Sequence, residues 1–323
     1  MSTSLPSPLR LPVVAAPMFL ISGPELVIAA CTSGVVGSFP APNCRTVDEL
    51  DTWMTTITEA LEKARAGDPA AVVAPWALNL VTHSTNTRLA ADLELVARHQ
   101  PPIVITALGS PAPVMETVRA YGGIVIADVV NLKLARKAAD LGVDGLACVS
   151  TGAGGHTGHL SPFAFVSAVR EFFDGIITIG GGISDGYGVA GAIAAGADLV
   201  YMGTRFLATT ESLAQEEYKQ MIVDHGTQDL IVTAGVTGTD ASWLRPSLIA
   251  NGMDLELLAT PAARNYDSDT NGAGNKRWKD IWAAGQGLQT IHAIDSVSDV
   301  VDRLDAEYRT AARRFADLSR TTA

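Results

Sequence analysis

The chain has few of the residues that build cross-linked or metal-bound scaffolds. Its 323 residues include three cysteines, Cys31, Cys44 and Cys148, and no two of them have the spacing of a zinc site or a redox pair. This excludes a disulfide framework and fits a reducing compartment. No Gly-Lys pair is followed by Ser or Thr, which excludes the phosphate-binding loop of P-loop NTPases.

Charged residues are also scarce, and most of them are acidic. Asp, Glu, Lys and Arg make up 18% of the chain, and the formal net charge is −11. An acidic surface repels nucleic acid and anionic lipid, so neither is an expected partner. The apolar run at residues 11–21 is interrupted by Pro12 and Pro17 and is too short to cross a bilayer. It predicts a first strand rather than a signal peptide, and we expect a cytoplasmic enzyme.

Short apolar runs alternate along the chain with stretches of helical periodicity. Eight runs are predicted to be strands, at residues 13–17, 35–39, 76–80, 103–108, 124–129, 145–149, 176–180 and 199–203. Helices are predicted at residues 46–66, 87–99, 132–141 and 161–173. Mostly apolar strands separated by helices are typical of a parallel sheet covered on both faces. The pattern favours an α/β fold, a TIM (β/α)₈ barrel, although the strand count alone also fits a doubly wound open sheet.

The alternation breaks after the eighth predicted strand. Residues 214–275 contain polar loops, Gly-Thr-Gly turns and a helical stretch, and residues 264–276 are rich in Asn, Asp and Gly and predict a loop. We interpret residues 214–275 as a smaller, mostly helical inserted domain on the substrate side. Residues 1–213 and 276–323 would form the barrel, with a last amphipathic helix at residues 298–318.

The segment after the sixth predicted strand is the first candidate site. Residues 150–158 place His156 in a loop of small residues that includes Gly154 and Gly155. Glycine lets the backbone approach a ligand closely, and an imidazole at a strand end can transfer protons. The alternative is a hydrogen-bonded loop histidine without a chemical role. A metal site shared with His159 lacks a third ligand nearby, so we predict no metal.

Two later strand ends are also rich in glycine. Gly181 and Gly182 follow the seventh predicted strand, Gly203 ends the eighth, and Thr204 comes directly after it. Backbone N–H groups at such turns, and in the first turn of the next helix, can bind phosphate. Each turn alone could need glycine only for its geometry. Together they match the usual phosphate site of a barrel and predict a phosphate-bearing cofactor beside His156.

Three further residues at predicted strand ends are cofactor candidates. Asn79 lies at the polar end of the third strand, where a buried amide needs a partner such as a flavin or a neighbouring loop. Met18 follows the first strand, and its backbone could contact a flat ring, although methionine is more often core. Asp128 stands inside the fifth strand, where an acidic group is usually functional or paired.

These motifs together resemble the nitronate monooxygenase family, formerly called 2-nitropropane dioxygenases. The matching segments are Ala-Pro-Met at 16–18, Asn79, Gly-Ala-Gly-Gly-His at 152–156, Gly-Gly-Gly-Ile at 180–183 and Met-Gly-Thr-Arg-Phe-Leu-Ala-Thr at 202–209. The resemblance implies a TIM barrel that binds FMN, with the late glycines at the phosphate and His156 as the active-site base. It implies the oxidation of alkyl nitronates or nitroalkanes by O2 to carbonyl compounds and nitrite.

Other functions remain open at the level of sequence. The same motifs occur in a wider superfamily of FMN barrels, so an NAD(P)H-dependent FMN reductase of quinones or enoyl thioesters is the first alternative. A flavin-free barrel that isomerises or cleaves a phosphorylated metabolite is the second. Trp278, Trp282 and Gln286, where the insertion rejoins the barrel, would either wall the pocket or only pack. His83 is a weaker candidate for the pocket mouth, and a homodimer is one expectation for the assembly.

Overall fold

The computed structural model describes residues 5, 8–262 and 278–321. Eight parallel strands form a closed barrel: β1 Val13–Ala15, β2 Val36–Pro40, β3 Trp76–Val81, β4 Ile103–Ala107, β5 Ile124–Val129, β6 Gly145–Val149, β8 Ile176–Gly180 and β9 Leu199–Met202. A short strand, β7 Gly155–His156, lies outside this barrel. Strand β9 pairs with β1 and closes the ring. The predicted TIM barrel is therefore confirmed, and the open sheet is excluded.

Helices cover the outside of the barrel. They are α1 Pro24–Thr32, α2 Val47–Gly67, α3 Leu89–His99, α4 Ala112–Ala120, α5 Leu132–Asp140, α6 Pro162–Arg170, α7 Gly186–Ala194, α8 Thr204–Leu207 and, after the insertion, α11 Val297–Thr321. Side-chain caps fix several starts, as at Thr46 and Asn131, which accept hydrogen bonds from Glu49 N and Leu134 N. None of the helices in the described part of the chain is long and apolar enough to cross a membrane.

The strands have two apolar faces, as expected for a covered parallel barrel. In β5, Val125 and Val129 pack outward against the helices, whereas Ile124 and Ile126 point into the barrel. By the same alternation Asp128 faces inward, at the carboxyl end of the strand. The carboxyl ends of all eight barrel strands meet at one mouth, so the loops with the candidate residues lie on the same side of the molecule.

The insertion has its own small sheet. Its elements are α9 Glu216–Asp224, β10 Leu230–Thr233, β11 Ala241–Leu244 and α10 Arg245–Ala250, together with short 3-10 helices. Strand β11 pairs antiparallel with both β10 and β7, so the sheet includes a piece of the loop after β6. The sequence did not predict this sheet. Among residues 214–262, helical residues outnumber strand residues. The predicted loop at residues 264–276 lies outside the described residues.

Candidate active site

Three loops at the barrel mouth pack against the chain segment that returns from the insertion. Gln286 N donates a hydrogen bond to Gly152 O at 2.9 Å, and Gly285 N donates to Thr204 Oγ1 at 2.9 Å. At Gly154, a Cβ atom would stand 2.6 Å from Gly285 N. Glycine is therefore required there by close backbone packing. Through this returning segment, the loop after β6 is linked to the start of α8. Both lie at strand ends that the sequence singled out.

The loop after β8 contains two glycines, and their surroundings differ. Gly181 and Gly182 both have positive φ, at 144° and 69°. A Cβ atom at Gly181 would lie 2.1 Å from Ser150 Oγ, so this glycine is required by contact with β6. The nearest atom to a Cβ at Gly182 is Gln286 Cβ at 3.6 Å. Gly182 thus lines the open side of the loop, under Gln286.

Backbone donors at these strand ends have no protein acceptor. No hydrogen bond joins the N–H of Gly182, Ile183 or Thr204 to any residue that the structure describes. Three such donors at the ends of β8 and β9 form a cradle suited to an anion. Met18 Sδ lies 3.6 Å from the position of a Cβ at Gly203, so the loop after β1 borders the same cradle.

The first turn of α7 does not contribute as the sequence suggested. Gly186 N donates to Glu307 Oε2 at 2.8 Å, and Gly188 N donates to Asp185 Oδ1 at 2.7 Å. Two of its N–H groups are therefore already used by carboxylates. The donors without acceptors therefore lie in the loop before α7 and at the start of α8, and this is the candidate anion site.

His156 lies in β7, where its backbone pairs with Ala241 of the insertion. Its ring is edge-on to the ring of Trp278, with the centroids 5.3 Å apart and the planes at 75°. Burial lowers the pKa of His156 below the usual value of 6.5, so the imidazole is neutral at neutral pH. A neutral imidazole can accept a proton. His159 differs, because it is exposed and pairs with Asp240 at 3.2 Å.

Two predicted polar residues occupy the inner face of the barrel. Asn79 is buried and donates from Nδ2 to Ile105 O at 3.3 Å. Asp128 Oδ1 is buried and has no partner among the described residues, and burial raises the pKa of Asp128 to about 7. The buried hydroxyl of Tyr201, which the sequence did not single out, is also without a partner in the described chain. Buried polar atoms without partners are costly and mark a candidate ligand site.

The remaining candidates at the mouth have different surroundings. Trp282 stacks on Tyr218 at 4.9 Å rather than on His156. His83 bonds through Nδ1 to Thr85 Oγ1 at 2.9 Å, within the loop after β3. In the described part of the chain, no group of three or more His, Cys, Asp or Glu residues could hold a metal ion. The structure therefore brings His156, the glycine loops and Trp278 together, and leaves Trp282 and His83 with local roles.

A family comparison agrees with this geometry. The sequence model of the family described as nitronate monooxygenase matches residues 5–307. The chain belongs to the nitronate monooxygenase family. Membership makes the protein a flavin-dependent oxidoreductase with a small-molecule substrate. It rules against the flavin-free isomerase or lyase that the sequence left open.

The proteins that this chain resembles are named for different activities. A nitronate monooxygenase of Paraburkholderia phytofirmans is 28% identical, over 95% of each chain. A (3aS,4S,5R,7aS)-5-hydroxy-7a-methyl-1-oxo-octahydro-1H-indene-4-carboxyl-CoA dehydrogenase of Rhodococcus jostii is 29% identical, and the match spans 74% of this chain but only 64% of that protein. The solved structure of a nitroalkane oxidase from Streptomyces ansochromogenes has a TM-score of 0.78 and 23% identity over 95% of this chain and 98% of that one. The structural match shows the fold, and the relatives do not fix one substrate.

Proposed function

We propose that the protein is an FMN-dependent monooxygenase that oxidises alkyl nitronates and nitroalkanes with O2 to carbonyl compounds and nitrite. The observation that carries the proposal is the neutral, half-buried imidazole of His156 at the same barrel mouth as a set of backbone donors without acceptors among the described residues. Family membership, with the Paraburkholderia relative matched over 95% of both chains, supports it.

The residues of the mouth fit FMN. The free N–H groups of Gly182, Ile183 and Thr204 suit a phosphate, because an anion satisfies donors that lack an acceptor among the described residues. Among the neighbouring glycines, Gly203 leaves space beside Met18, whereas Gly181 and Gly154 let the surrounding loops pack closely. Gly155 has a positive φ of 67° and lies under Trp278.

The isoalloxazine and ribityl groups would lie over the inner face of the barrel. Asn79 and Asp128 offer polar atoms there, and Met18 borders the cradle. When bound, FMN supplies the electron-transfer chemistry that oxidises the nitronate and makes O2 a co-substrate. The protein contributes binding, orientation and proton transfer.

His156 would move the proton. A neutral nitroalkane must lose its Cα proton to become a nitronate, and an imidazole nitrogen of His156 would accept that proton. Burial keeps the imidazole in the neutral form that can do so. A nitronate supplied as the anion has no such proton to lose. Comparing turnover of the nitroalkane with turnover of the nitronate therefore distinguishes proton transfer by His156 from the other steps of the reaction.

Replacement of His156 tests this assignment. His156→Asn should lower turnover of a neutral nitroalkane by about 10²-fold or more, because general base catalysis typically contributes 10²–10⁴. Turnover of the preformed nitronate and the dissociation constant for FMN should change much less. Equal nitroalkane turnover in the variant and the wild type would overturn the base assignment.

A reductase is the second candidate. The Rhodococcus relative, 29% identical, has the name of a dehydrogenase of a carboxyl-CoA compound, which supports a thioester substrate as the alternative. The two candidates differ in their electron donor. An NAD(P)H-dependent reductase would reduce its flavin with NADH or NADPH under anaerobic conditions, whereas the monooxygenase takes its electrons from the nitronate.

A further inference from the structure

Trp278 makes the aromatic contact of His156. The two rings meet edge to face at 5.3 Å, and Trp278 Cζ3 also lies 3.4 Å from the position of a Cβ at Gly155. A Cβ atom at residue 155 would be in ordinary van der Waals contact with the indole, so Trp278 packs directly over the backbone of Gly155. The tryptophan therefore covers both residues of β7.

The indole of Trp278 also packs on a second tryptophan. It packs on Trp243 at 4.5 Å, and Trp243 is a fully buried core residue of the insertion. The backbone of Trp278 has a φ of 66°, in the left-handed region that non-glycine residues rarely adopt. Such a conformation costs roughly 1 kcal/mol or more and persists only where the surroundings impose it. The indole is thus placed by its packing and not by a relaxed local backbone.

The insertion also fixes the backbone around His156. Ala241 pairs with His156, Ser242 pairs with Gly155, and Thr157 N donates to Asp240 O at 3.1 Å. Trp243 follows two residues after Ala241 on the same strand, β11. One strand therefore holds the main chain of the histidine and braces the indole against its ring.

We propose that Trp278, braced by Trp243, orients the imidazole of His156 and shields it from water, so that the insertion is a working part of the proton-transfer site. The proposal rests on the proposed role of His156 as the base. It assigns Trp278 as a positioning residue that acts through His156.

Burial is the one cause of the lowered pKa of His156. Among the described residues, the ionisable groups on the elements packed around it are Asp240 before β11, Lys279 and Asp280 after Trp278, and His159 in its own loop. None of them contributes to the shift. If the indole supplies the burial, its removal should return the pKa of His156 toward 6.5.

The test is an NMR pH titration of the histidine ring signals of the full-length protein. The chain has six histidines, and His156→Asn assigns the signal of interest by its loss. The pKa of His156 should rise from the wild type to Trp278→Phe, whose ring is smaller, and rise again to Trp278→Ala. Trp282→Phe is the matched control, because Trp282 stacks on Tyr218, and it should leave the pKa of His156 at the wild-type value.

The same variants are compared in turnover. Trp278→Ala should lower kcat/KM for a neutral nitroalkane at least about tenfold and spare the preformed nitronate. An unchanged pKa of His156 in both Trp278 variants would overturn the proposal. If the alanine variant does not fold, the phenylalanine variant decides alone, since a wild-type pKa there is the overturning result. The titration needs no turnover, so failure of His156 as the base, seen as full nitroalkane activity of His156→Asn, is recognised separately.

Discussion

At the residue scale, burial brings two ionisable side chains toward their neutral forms. His156 is uncharged because burial lowers its pKa, and Asp128 is partly protonated near neutrality because burial raises its pKa to about 7. Both lie at the carboxyl end of the barrel. Shifts of this kind concentrate at functional sites, because a catalytic group needs a proton affinity suited to its task. Each shift leads to a measurement.

The first prediction concerns the pH dependence of turnover. If the neutral imidazole is the base, kcat/KM for a neutral nitroalkane should fall as pH decreases, with a midpoint below 6.5, because burial lowers the pKa of His156. Pre-steady-state or steady-state rates from pH 5 to 8 would show this limb. Preformed nitronate should not show it. A midpoint above pH 6.5 would contradict this account, because the pKa of the base would then not be lowered.

The second prediction concerns stability. Asp128 has a raised pKa in the folded state, so its contribution to stability is complete below the unfolded value of 3.8 and is lost as pH rises through about 7. Asp128→Asn removes the ionisable group, so the variant does not lose this stability as the pH rises. Between pH 5 and pH 8 the stability gain of the variant should grow by roughly 2 kcal/mol in urea unfolding of the FMN-free protein.

The matched control for this measurement is an exposed aspartate. Asp174, in the loop before β8, is exposed to solvent. Asp174→Asn should leave the pH dependence of unfolding at that of the wild type. A gain for Asp128→Asn that is equal at pH 5 and pH 8 would show that the carboxyl group is not buried in the folded protein.

At the element scale, the loop after β8 separates structural from binding glycines. Gly182 and Gly122 both have positive φ, at 69° and 80°, and neither would place a Cβ within 3.4 Å of another residue. Substitution by alanine at either position should therefore lower the free energy of unfolding by a similar amount, about 1 kcal/mol. Only Gly182 belongs to the donor cradle. Gly182→Ala should weaken FMN binding at least about tenfold in a fluorescence titration, because a shift of the loop misplaces its N–H donors.

Gly122→Ala, in the turn after α4, is the control for that titration. It should lose a similar amount of stability and keep the wild-type affinity for FMN. Equal affinity for FMN in Gly182→Ala and Gly122→Ala would mean that the loop after β8 does not hold the phosphate.

The local pattern predicts the regular elements well. Strands β5 and β6 have the predicted bounds, 124–129 and 145–149, because each is a short, mostly apolar run next to turn or polar residues. Two glycines at 122–123 precede β5, and β6 lies between Asp144 and Ser150. Strand β7 was not predicted, since it has two residues, Gly155 and His156, and exists only through pairing with β11, whose Ala241 is 85 positions away (241 − 156). Nor does the sequence show that Glu307 binds Gly186 N, a contact across 121 positions.

At the scale of the whole molecule, the site forms where the barrel and the insertion meet. The barrel gathers the glycine loops at one mouth because all its strands run parallel. The insertion supplies β11, which pairs with His156, and Trp243, which packs on Trp278 beside His156. Sequence motifs predicted the first of these contributions, since each barrel residue lies at a strand end. They could not predict the second, because contacts between the insertion and the loop after β6 depend on packing between distant segments.

The substrate is also a property of the whole molecule. Relatives of similar identity, 29% and 28%, are named for different reactions, a dehydrogenase and a nitronate monooxygenase. The shape of the pocket depends on loops and on the insertion, where side chains differ with little effect on the fold. Fold and family therefore support the cofactor and the reaction class more directly than they support one substrate.

The central claim is that the electron donor is a nitronate. The direct test is to load the purified protein with FMN, remove O2, and add propionate 3-nitronate or NADH in separate experiments while the visible absorption of the flavin is recorded. Loss of the flavin absorption with the nitronate but not with NADH is the result that we predict. Rapid loss with NADH and none with the nitronate would contradict the claim and identify a reductase.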